Sequence, residues 1–368
     1  MSNIGIYGMG VIGGFGCGKE ALSDALHGSL KGKLPALQDM KAGPDDDTTL
    51  PSLMADLSPL RQHFKPMKLR RVDRFSQMAL LTATECLGET TPLAGEDTAL
   101  LLASGYGAAK ATFGFLDTSR ESAPSPTHFA NSVHNSATST IAIFHKLKGP
   151  CCSVSQFEMS FATAMASARA WLESGKMKSV MVIAADEYCE VNWNSRLRFF
   201  GQPEGELAPH DSARHTAIPG EGAACFLLER CDDRGTPPPY GYLTHASVTR
   251  DGKTPEGWQA DDNQFAILGL DGHKVCHKFY APWTAMEQAA YSRLFGSLPT
   301  SQALDMAVAC TTIKEDECIP TPGDKTGDSN AILQESKPLN GKTISCIKHG
   351  RRGELALVDI AARPPVKG

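Results

Sequence analysis

The stretch of the chain that could best present a reactive side chain runs from residue 149 to residue 174. Gly149-Pro150 is followed by small and β-branched residues at 151–155, which predict a short buried strand. From about Phe157 the composition becomes rich in Ala and predicts a helix. A sharp turn from strand into helix places a side chain at the helix N-terminus, where backbone N–H groups and the helix dipole stabilise negative charge.

The residue at this turn is Glu158. Enzymes often place a nucleophile at such a turn, but a carboxylate cannot easily serve as one. Cys151 and Cys152 precede the turn, and either could act as a nucleophile if the helix began several residues earlier and His134 or His349 supplied the base. Because cysteine is commonly a buried small apolar residue, a structural role is favoured for both thiols.

Two other motifs invite a chemical interpretation. Asn131, His134 and Asn135 lie in a polar segment, but no acid or nucleophile lies at a local spacing that requires a catalytic histidine, so a structural role is favoured. The run from Gly8 to Gly13 satisfies G-x-G-x-x-G, the dinucleotide-binding pattern. No helix opens within that run and no second strand ending in Asp or Glu follows at the expected distance, so we expect no cofactor.

The composition narrows the class of protein. A chain of 368 residues can bury a large core, and its net charge of −5 argues against general nucleic-acid binding. The 11 cysteines show no recurring C-x-x-C spacing, so we expect no zinc site, and buried free thiols suit a reducing cytoplasm. No secretory leader and no apolar run long enough to span a membrane is evident, so the expected location is cytoplasmic.

The remaining pattern is that of an α/β protein. It predicts strands at 3–7, 98–104, 179–185, 220–230 and 240–248, helices at 19–26, 70–86, 137–146 and 283–295, and irregular segments at 31–66 and 190–219. A strand at 303–309 should lead into Cys310, and 343–361 should form a terminal hairpin. The linker at 232–239 is the candidate boundary between two halves of the chain.

Taken in order, several motifs resemble those of a known family. The initial strand with Gly8-x-Gly10, the segments 70–79 and 131–135, Gly149-Pro150 and the segment 220–223 together resemble β-ketoacyl synthases of the thiolase fold. The resemblance implies an α/β, thiolase-like fold with two related halves, 1–235 and a shortened 236–368, in αβαβα layers. It also implies a dimer in which the strand ahead of the central helix pairs with its counterpart.

These synthases condense an acyl thioester with a malonyl thioester carried on acyl carrier protein. The reaction needs a Cys nucleophile at the helix start and two His that stabilise the enolate. Counting from Gly149-Pro150 puts Glu158 at the Cys position, and the end of the expected strand puts Cys310 at the first His position. The second His, which lies in a Lys-x-x-x-Gly-His segment, has no clear counterpart, since His349 falls in the expected hairpin.

The resemblance therefore implies a non-catalytic subunit of the chain-length-factor type. Such a subunit forms a heterodimer with a catalytic β-ketoacyl synthase, reaches acyl carrier protein through that complex, and shapes the tunnel for a growing chain. The sequence around Glu158 most resembles such subunits of bacterial aryl polyene pathways, which implies a polyketide or fatty-acid-like product. Gln156, Phe157, Met159 and Phe161 are then candidates for the tunnel or the interface, with Asn131, His134 and Asn135 beside them.

Other functions remain open. The chain could be an active acyltransferase that uses Cys151 or Cys152, or a decarboxylase with Gln156 near its site, since some relatives carry Gln in place of Cys. It could also be a stand-alone thiolase-fold scaffold. No metal or cofactor is expected in any of these cases.

Overall fold

A computed structural model of the chain describes residues 3–43, 46–88, 95–121, 123–260, 263–323 and 331–365. The strands are β1 Ile4–Gly13, β2 Gly16–Cys17, β3 Gln38–Gly43, β4 Asp46–Ser52, β5 Thr98–Ser104, β6 Cys151–Ser155, β7 Ser179–Asp186, β8 Gly222–Arg230, β9 Tyr242–Thr249, β10 Gln264–Leu268, β11 Gln288–Ala289, β12 Glu317–Cys318, β13 Lys337–Pro338, β14 Thr343–His349 and β15 Leu355–Ala361.

The helices are α1 Lys19–Leu30, α2 Leu60–His63, α3 Pro66–Leu69, α4 Arg74–Gly88, α5 Ala109–Glu121, α6 Pro126–Ser132, α7 Ser136–His145, α8 Ser160–Glu173, α9 Glu190–Phe200, α10 Cys231–Arg234, α11 Lys274–His277 and α12 Ser301–Glu315. Short 3₁₀ turns lie at Phe157–Met159, Lys278–Trp283 and Ser292–Leu294.

The main sheet has two halves with the same pairing pattern. Its order is β11-β10-β14-β15-β9-β1-β8-β7-β5-β6, with β2 against β1. In the first half β6, β5 and β7 are parallel, while β8 and β1 follow antiparallel. In the second half β11, β10 and β14 are parallel, while β15 and β9 follow antiparallel. The halves join where Ile4 pairs with Leu243 and Gly5 with Tyr242. The repeated order confirms two related halves, and the proposed boundary after residue 235 falls between α10 and β9.

Helices α8 and α12 form the central layer, because each contacts strands of both halves. Phe161 and Met165 of α8 and Met306 of α12 belong to one core that includes Phe226 of β8 and Val358 of β15. On the outer face of the first half, α4 and α7 bury residues such as Phe75 and Ile141. The outer face of the second half is covered by Tyr280 and Trp283 of a 3₁₀ turn. These layers give the expected αβαβα order, with the last helical layer reduced to short turns.

Four sequence predictions of secondary structure were wrong. Residues 303–309 form part of α12 rather than a strand, since a short apolar run looks the same in a buried helix and a buried strand. The expected helix at 283–295 is broken because Gln288 and Ala289 pair with β10 as β11. The supposed irregular segments at 31–66 and 190–219 contain the hairpin of β3 with β4 and helix α9, respectively.

The glycine-rich run at the start of the chain serves packing. β1 extends through it from Ile4 to Gly13, and a Cβ built on Gly10 would lie 2.0 Å from the carbonyl oxygen of Thr82 in α4. The absence of a side chain therefore lets α4 approach β1 closely. This contact accounts for Gly10 without a bound dinucleotide.

We predict that Gly10→Ala lowers the free energy of unfolding by about 3 kcal/mol, because the new methyl group must displace the backbone of α4. Urea denaturation measures the change. Gly88→Ala is the matched control, since a Cβ there meets no atom within 4 Å, and its effect should stay within about 1 kcal/mol. Equal effects of the two substitutions would contradict the packing role of Gly10.

Candidate functional site

The turn between β6 and α8 has the geometry of an elbow. Phe157 takes a left-handed backbone conformation with φ of 48°, which is unusual for a residue with a Cβ. Ser160 holds the turn, because its Oγ accepts from the N–H of Gln156 at 2.7 Å and lies 3.0 Å from the carbonyl oxygen of Ser104, to which it donates. The strained residue is thus fixed against the end of β5, and the next residue, Glu158, begins the helical path.

The carboxylate of Glu158 has a cationic neighbour. Its Oε1 lies 3.4 Å from Nε of Arg351, which belongs to the loop between β14 and β15. The Arg351 guanidinium also lies over the ring of Phe200, 4.8 Å from its centre. A cavity of about 100 Å³ lined by Tyr106, Arg351 and residues of α9 adjoins this contact. The elbow therefore presents a paired carboxylate rather than a nucleophile.

A second elbow precedes α12. Gly296 has φ of 76°, and a Cβ there would lie 2.7 Å from the backbone of Gly220, so only glycine fits. The next residue, Ser297, is almost fully buried. Its Oγ lies 2.8 Å from Oδ2 of Asp271, which follows β10. In the matching pattern of the two halves, Gly296-Ser297 before α12 corresponds to Phe157-Glu158 before α8.

Buried cations surround Asp271 and Ser297. Nζ of Lys348 lies 3.2 Å from Oδ2 of Asp271 and donates to the carbonyl oxygen of Gly269 at 2.8 Å. Nη2 of Arg196 donates to Oγ of Ser297 at 2.9 Å and forms a short hydrogen bond with Nε2 of His273. We call Arg196, Asp271, His273, Ser297 and Lys348 the buried polar cluster.

The electrostatics of this cluster favour a fixed ion network. Burial alone would raise the pKa of Asp271, but the charges of Lys348 and Arg196 and the hydrogen bond from Ser297 hold it well below its usual range. Burial and the charge of Arg196 lower the pKa of His273 far below its ordinary value, so the ring is neutral and accepts from Arg196. An Asp with so low a pKa is a poor general base for Ser297.

A further buried carboxyl group, that of Asp186 at the end of β7, forms hydrogen bonds with residues near both elbows. It accepts from Oγ of Ser104 at 2.8 Å and from the N–H of Gly105 at 2.9 Å. It also accepts from Oγ1 and N–H of Thr300, which precedes α12, at 2.8 and 3.0 Å. These hydrogen bonds, with a fifth from the N–H of Tyr106 at 3.2 Å, hold loops of both halves in position.

The comparisons with known proteins agree with this geometry. Residues 47–199 match the family model described as "Beta-ketoacyl synthase, N-terminal domain". A beta-ketoacyl synthase from Burkholderia phymatum STM815 superposes with a TM-score of 0.80 at 17% identity, covering 99% of this chain and 100% of that one. The ishigamide ketosynthase/chain length factor gives 0.80 at 15% identity, covering 98% and 99%.

A third solved structure is a type II PKS acyl-carrier protein in complex with its ketosynthase bound to the hexaketide. It matches with a TM-score of 0.77 at 14% identity, covering 98% of this chain and 100% of that one. No curated protein sequence gives a significant match. The chain has the ketosynthase fold.

Within the ketosynthase fold, the position of Cys310 needs correction. The assignment of Cys310 to a His position depended on a strand at 303–309, but Cys310 lies within α12 and is fully buried, and burial raises the pKa of its thiol. Asp271 instead follows β10, and Ser297 follows Gly296 at the second elbow. Ser292–Ser297 keeps only the Gly of Lys-x-x-x-Gly-His and has Ser at both ends, so the sequence alone gave no clear signal.

The other sequence candidates are dispersed. Nδ2 of Asn131 donates to the carbonyl oxygen of Arg71, and His134 and Asn135 are exposed at the start of α7. Oε1 of Gln156 accepts from Oγ1 of Thr163 at 2.9 Å. The ring of Phe157 is 57% exposed and packs edge-on to Tyr106. Met159 and Phe161 belong to the main core.

Neither alternative cysteine lies at the helix start. Cys151 and Cys152 lie in β6, which was expected to be buried but is the edge of the sheet, and both side chains are exposed. Burial and the neighbouring Cys152 raise the pKa of Cys151, so its thiol is not activated. The Nε2 of His349 accepts from Trp283, and burial lowers the pKa of this His to about 4. These residues do not form a nucleophile with a base.

Neither a metal site nor a membrane-spanning helix is found among the residues described. Within the ranges given above, no group of three His, Cys, Asp or Glu side chains is arranged to hold a metal ion. Over the same ranges, no helix is both long and apolar enough to cross a membrane.

We predict that Asp271→Ala lowers the free energy of unfolding by about 3–5 kcal/mol, because it leaves Lys348 and Arg196 buried without their counter-charge. Glu158→Ala removes the partner of an Arg351 side chain that is 34% exposed and should cost about 1 kcal/mol or less. Denaturant titration of both variants measures the difference. A smaller loss for Asp271→Ala than for Glu158→Ala would contradict the buried polar cluster.

The pH dependence of stability should reflect the ionisation of Asp305, a buried residue of α12. Burial raises the pKa of Asp305 from 3.8 to about 8, although Lys348 opposes the shift. The raised pKa stabilises the folded state below about pH 4, and this contribution is lost as the pH rises to about 8. We therefore expect the Tm of Asp305→Asn relative to wild type to increase across that range and then level off. A difference independent of pH would show that Asp305 ionises normally.

Proposed function

We propose that this chain is a non-catalytic, chain-length-factor-like subunit that pairs with a catalytic β-ketoacyl-ACP synthase. The observation that carries the proposal is Glu158 at the elbow, in contact with Arg351. Acyl transfer to the enzyme requires a thiolate at this helix start, and a carboxylate cannot form the acyl thioester. A negative charge there would also oppose the enolate that condensation generates.

We infer that Asp271, which follows β10, and Ser297, at the second elbow, take the two His positions of the family, and this supports the same conclusion. Stabilising an enolate requires hydrogen-bond donors that face the developing charge. Asp271 is an ionised carboxylate held by Lys348, and Ser297 already exchanges hydrogen bonds with Asp271 and Arg196. Glu158 is engaged separately by Arg351, so none of the three side chains is available for condensation.

The edge strand β6 is the surface we propose for the partner ketosynthase. It ends the main sheet beyond β5, so one side of its backbone has no strand against it among the residues described and could pair with another strand. Helix α7 contacts β6 and carries Ile143, which is 76% exposed, and Phe157, two residues after β6, is 57% exposed. The exposed thiols of Cys151 and Cys152 would be covered by the same contact.

In the complex, this subunit would shape the tunnel for the growing chain. Phe157 is the tunnel candidate that the fold leaves at the surface, whereas Met159 and Phe161 support the elbow from the core. The length of the chain and the residues around Glu158 favour a subunit of an aryl polyene-type pathway that makes a polyketide or fatty-acid-like product. The eleven free thiols agree with a cytoplasmic location.

Contact with acyl carrier protein would occur through the complex. Two exposed arginines, Arg70 and Arg71, could meet an acidic carrier. Arg196 is buried in the polar cluster and cannot take that role.

The test is co-expression of tagged protein with the ketosynthase encoded nearest to it, followed by native mass spectrometry. We expect a one-to-one heterodimer that Ile143→Asp disrupts, because the substitution buries a charge at the interface. Met67→Asp is the matched control, since Met67 is 87% exposed on α3 and lies outside the proposed interface. That variant should assemble normally.

A stable homodimer that does not bind the ketosynthase would refute the subunit proposal and favour a stand-alone scaffold. Labelling by a thiol-directed ketosynthase inhibitor would test the acyltransferase alternative. Loss of that label in Cys151→Ala or Cys152→Ala would place the nucleophile in β6, against the proposal.

A further inference from the structure

A separate cavity lies on the other side of β7 from the buried polar cluster. Its volume is about 300 Å³, and its walls come from the segment before α4, from α5, from α6 and from the end of β7. Neither the elbow nor the edge strand β6 contributes to it. The cavity is therefore separate from the surface proposed for the ketosynthase, although Arg70 and Arg71 at its rim are also the residues proposed to meet acyl carrier protein.

The cavity contains a buried carboxyl group with an unmet hydrogen bond. Glu187 follows β7 and is 7% exposed. Its Oε1 accepts from the backbone N–H of Lys110 at 2.9 Å, but its Oε2 has no partner among the residues described. A buried polar atom without a partner is costly, so an unfilled position of this kind points to a ligand atom.

Cationic side chains outnumber acidic ones on the walls. Arg70 and Arg71 are exposed at the rim and line the cavity with Lys110, whose Nζ also lies 3.8 Å from Oε2 of Glu190. Arg74 is neutralised by Glu221, whose carboxylate it contacts. Asp73 accepts from N–H and Oγ of Ser76 and caps α4. Its pKa is raised, with burial as the main cause.

Glu187 itself is a hydrogen-bond donor at neutral pH. Burial raises its pKa to about 8, and Asp73 and Glu221 add to the rise while Lys110 opposes it. His128 of α6 closes the remaining wall, with its ring against Gly114. A protonated carboxyl beside Arg71 and Lys110 would be matched by ligand oxygens that accept hydrogen bonds and carry negative charge.

We propose that this cavity binds a small oxyanion, a carboxylate or a phosphate, through Glu187, Arg71 and Lys110. The arginines at the rim attract the anion, and the O–H of Glu187 donates to one of its oxygens. Deprotonation of Glu187 would place a second negative charge against the ligand and release it.

The experiment is isothermal titration calorimetry of the full chain with inorganic phosphate and, separately, with acetate and malonate. At pH 7 we expect saturable one-to-one binding with a Kd of about 1 mM or below for at least one of these anions. The class of anion that binds more tightly, phosphate or carboxylate, identifies the chemical class of the ligand. Absence of saturable binding at about 10 mM for all three would overturn the proposal.

Two variants and one control locate the binding. Arg71→Ala should weaken binding about tenfold by removing one charge-assisted hydrogen bond. With acetate or malonate, whose own charge barely changes above pH 7, wild type should also weaken about tenfold between pH 7 and pH 9 as Glu187 ionises. Glu187→Gln, which keeps a donor and cannot ionise, should bind these carboxylates equally at both values. For phosphate, which itself loses a proton in this range, the pH dependence of Glu187→Gln is subtracted from that of wild type. Arg198→Ala, an exposed arginine of α9 outside the cavity, should bind like wild type.

Equal loss in Arg71→Ala and Arg198→Ala would show attraction by surface charge rather than a site. The same pH dependence in Glu187→Gln as in wild type would exclude Glu187 as the donor. Thermal unfolding of each variant without ligand, at pH 7, establishes that the variants are folded before they are compared.

Discussion

The ion network of Asp271 with Lys348 and Arg196 is the constraint on which the centre of the molecule depends. Lys348 and Arg196 are each less than a tenth exposed, and charges removed from water to this extent are tolerated only when they are paired and hydrogen-bonded. Asp271 provides the negative charge, and Ser297 joins it to Arg196. The network therefore fixes the end of β10, the start of α12 and helix α9 relative to one another.

In this arrangement the backbone geometry of the site is kept, while the side chains at the site are held by other residues. Both elbows persist, since Phe157 and Gly296 hold positive φ angles immediately before the two central helices. The side chains that follow them, Glu158 and Ser297, are each engaged by a basic residue. A reacting group has to exchange partners during catalysis, whereas a residue held by hydrogen bonds in a buried network is expensive to release. In the proposed subunit the scaffold is therefore retained, while the side chains at the positions proposed to match the catalytic ones are held by other residues.

The first half of the chain could be predicted from its sequence more fully than the second. Strands such as β5 and β7 lie between clear turn signals, and their positions were confirmed. The position of Glu158 at the elbow followed from its distance to Gly149-Pro150. In the second half, α12 is buried on every side from Ser301 to Thr312, so its pattern shows no amphipathic period, and β11 has two residues that only pairing with β10 makes a strand. The sequence could not show that Asp271, Ser297 and Lys348 lie close together. They belong to three segments whose relative positions depend on α12 and β11.

The roles of some polar residues also depend on the fold, because the sequence alone would place them at ordinary surface or helix-cap positions. In the structure Asp73 caps α4 and Arg71 lies at the rim of a cavity. Glu187 follows β7, and burial raises the pKa of its carboxyl to about 8. In the central site Asp271 is paired with Lys348, whereas here Oε2 of Glu187 has no partner among the residues described. A buried polar atom without a hydrogen-bond partner lowers the stability of the fold. The cavity around Glu187 is therefore a candidate ligand site.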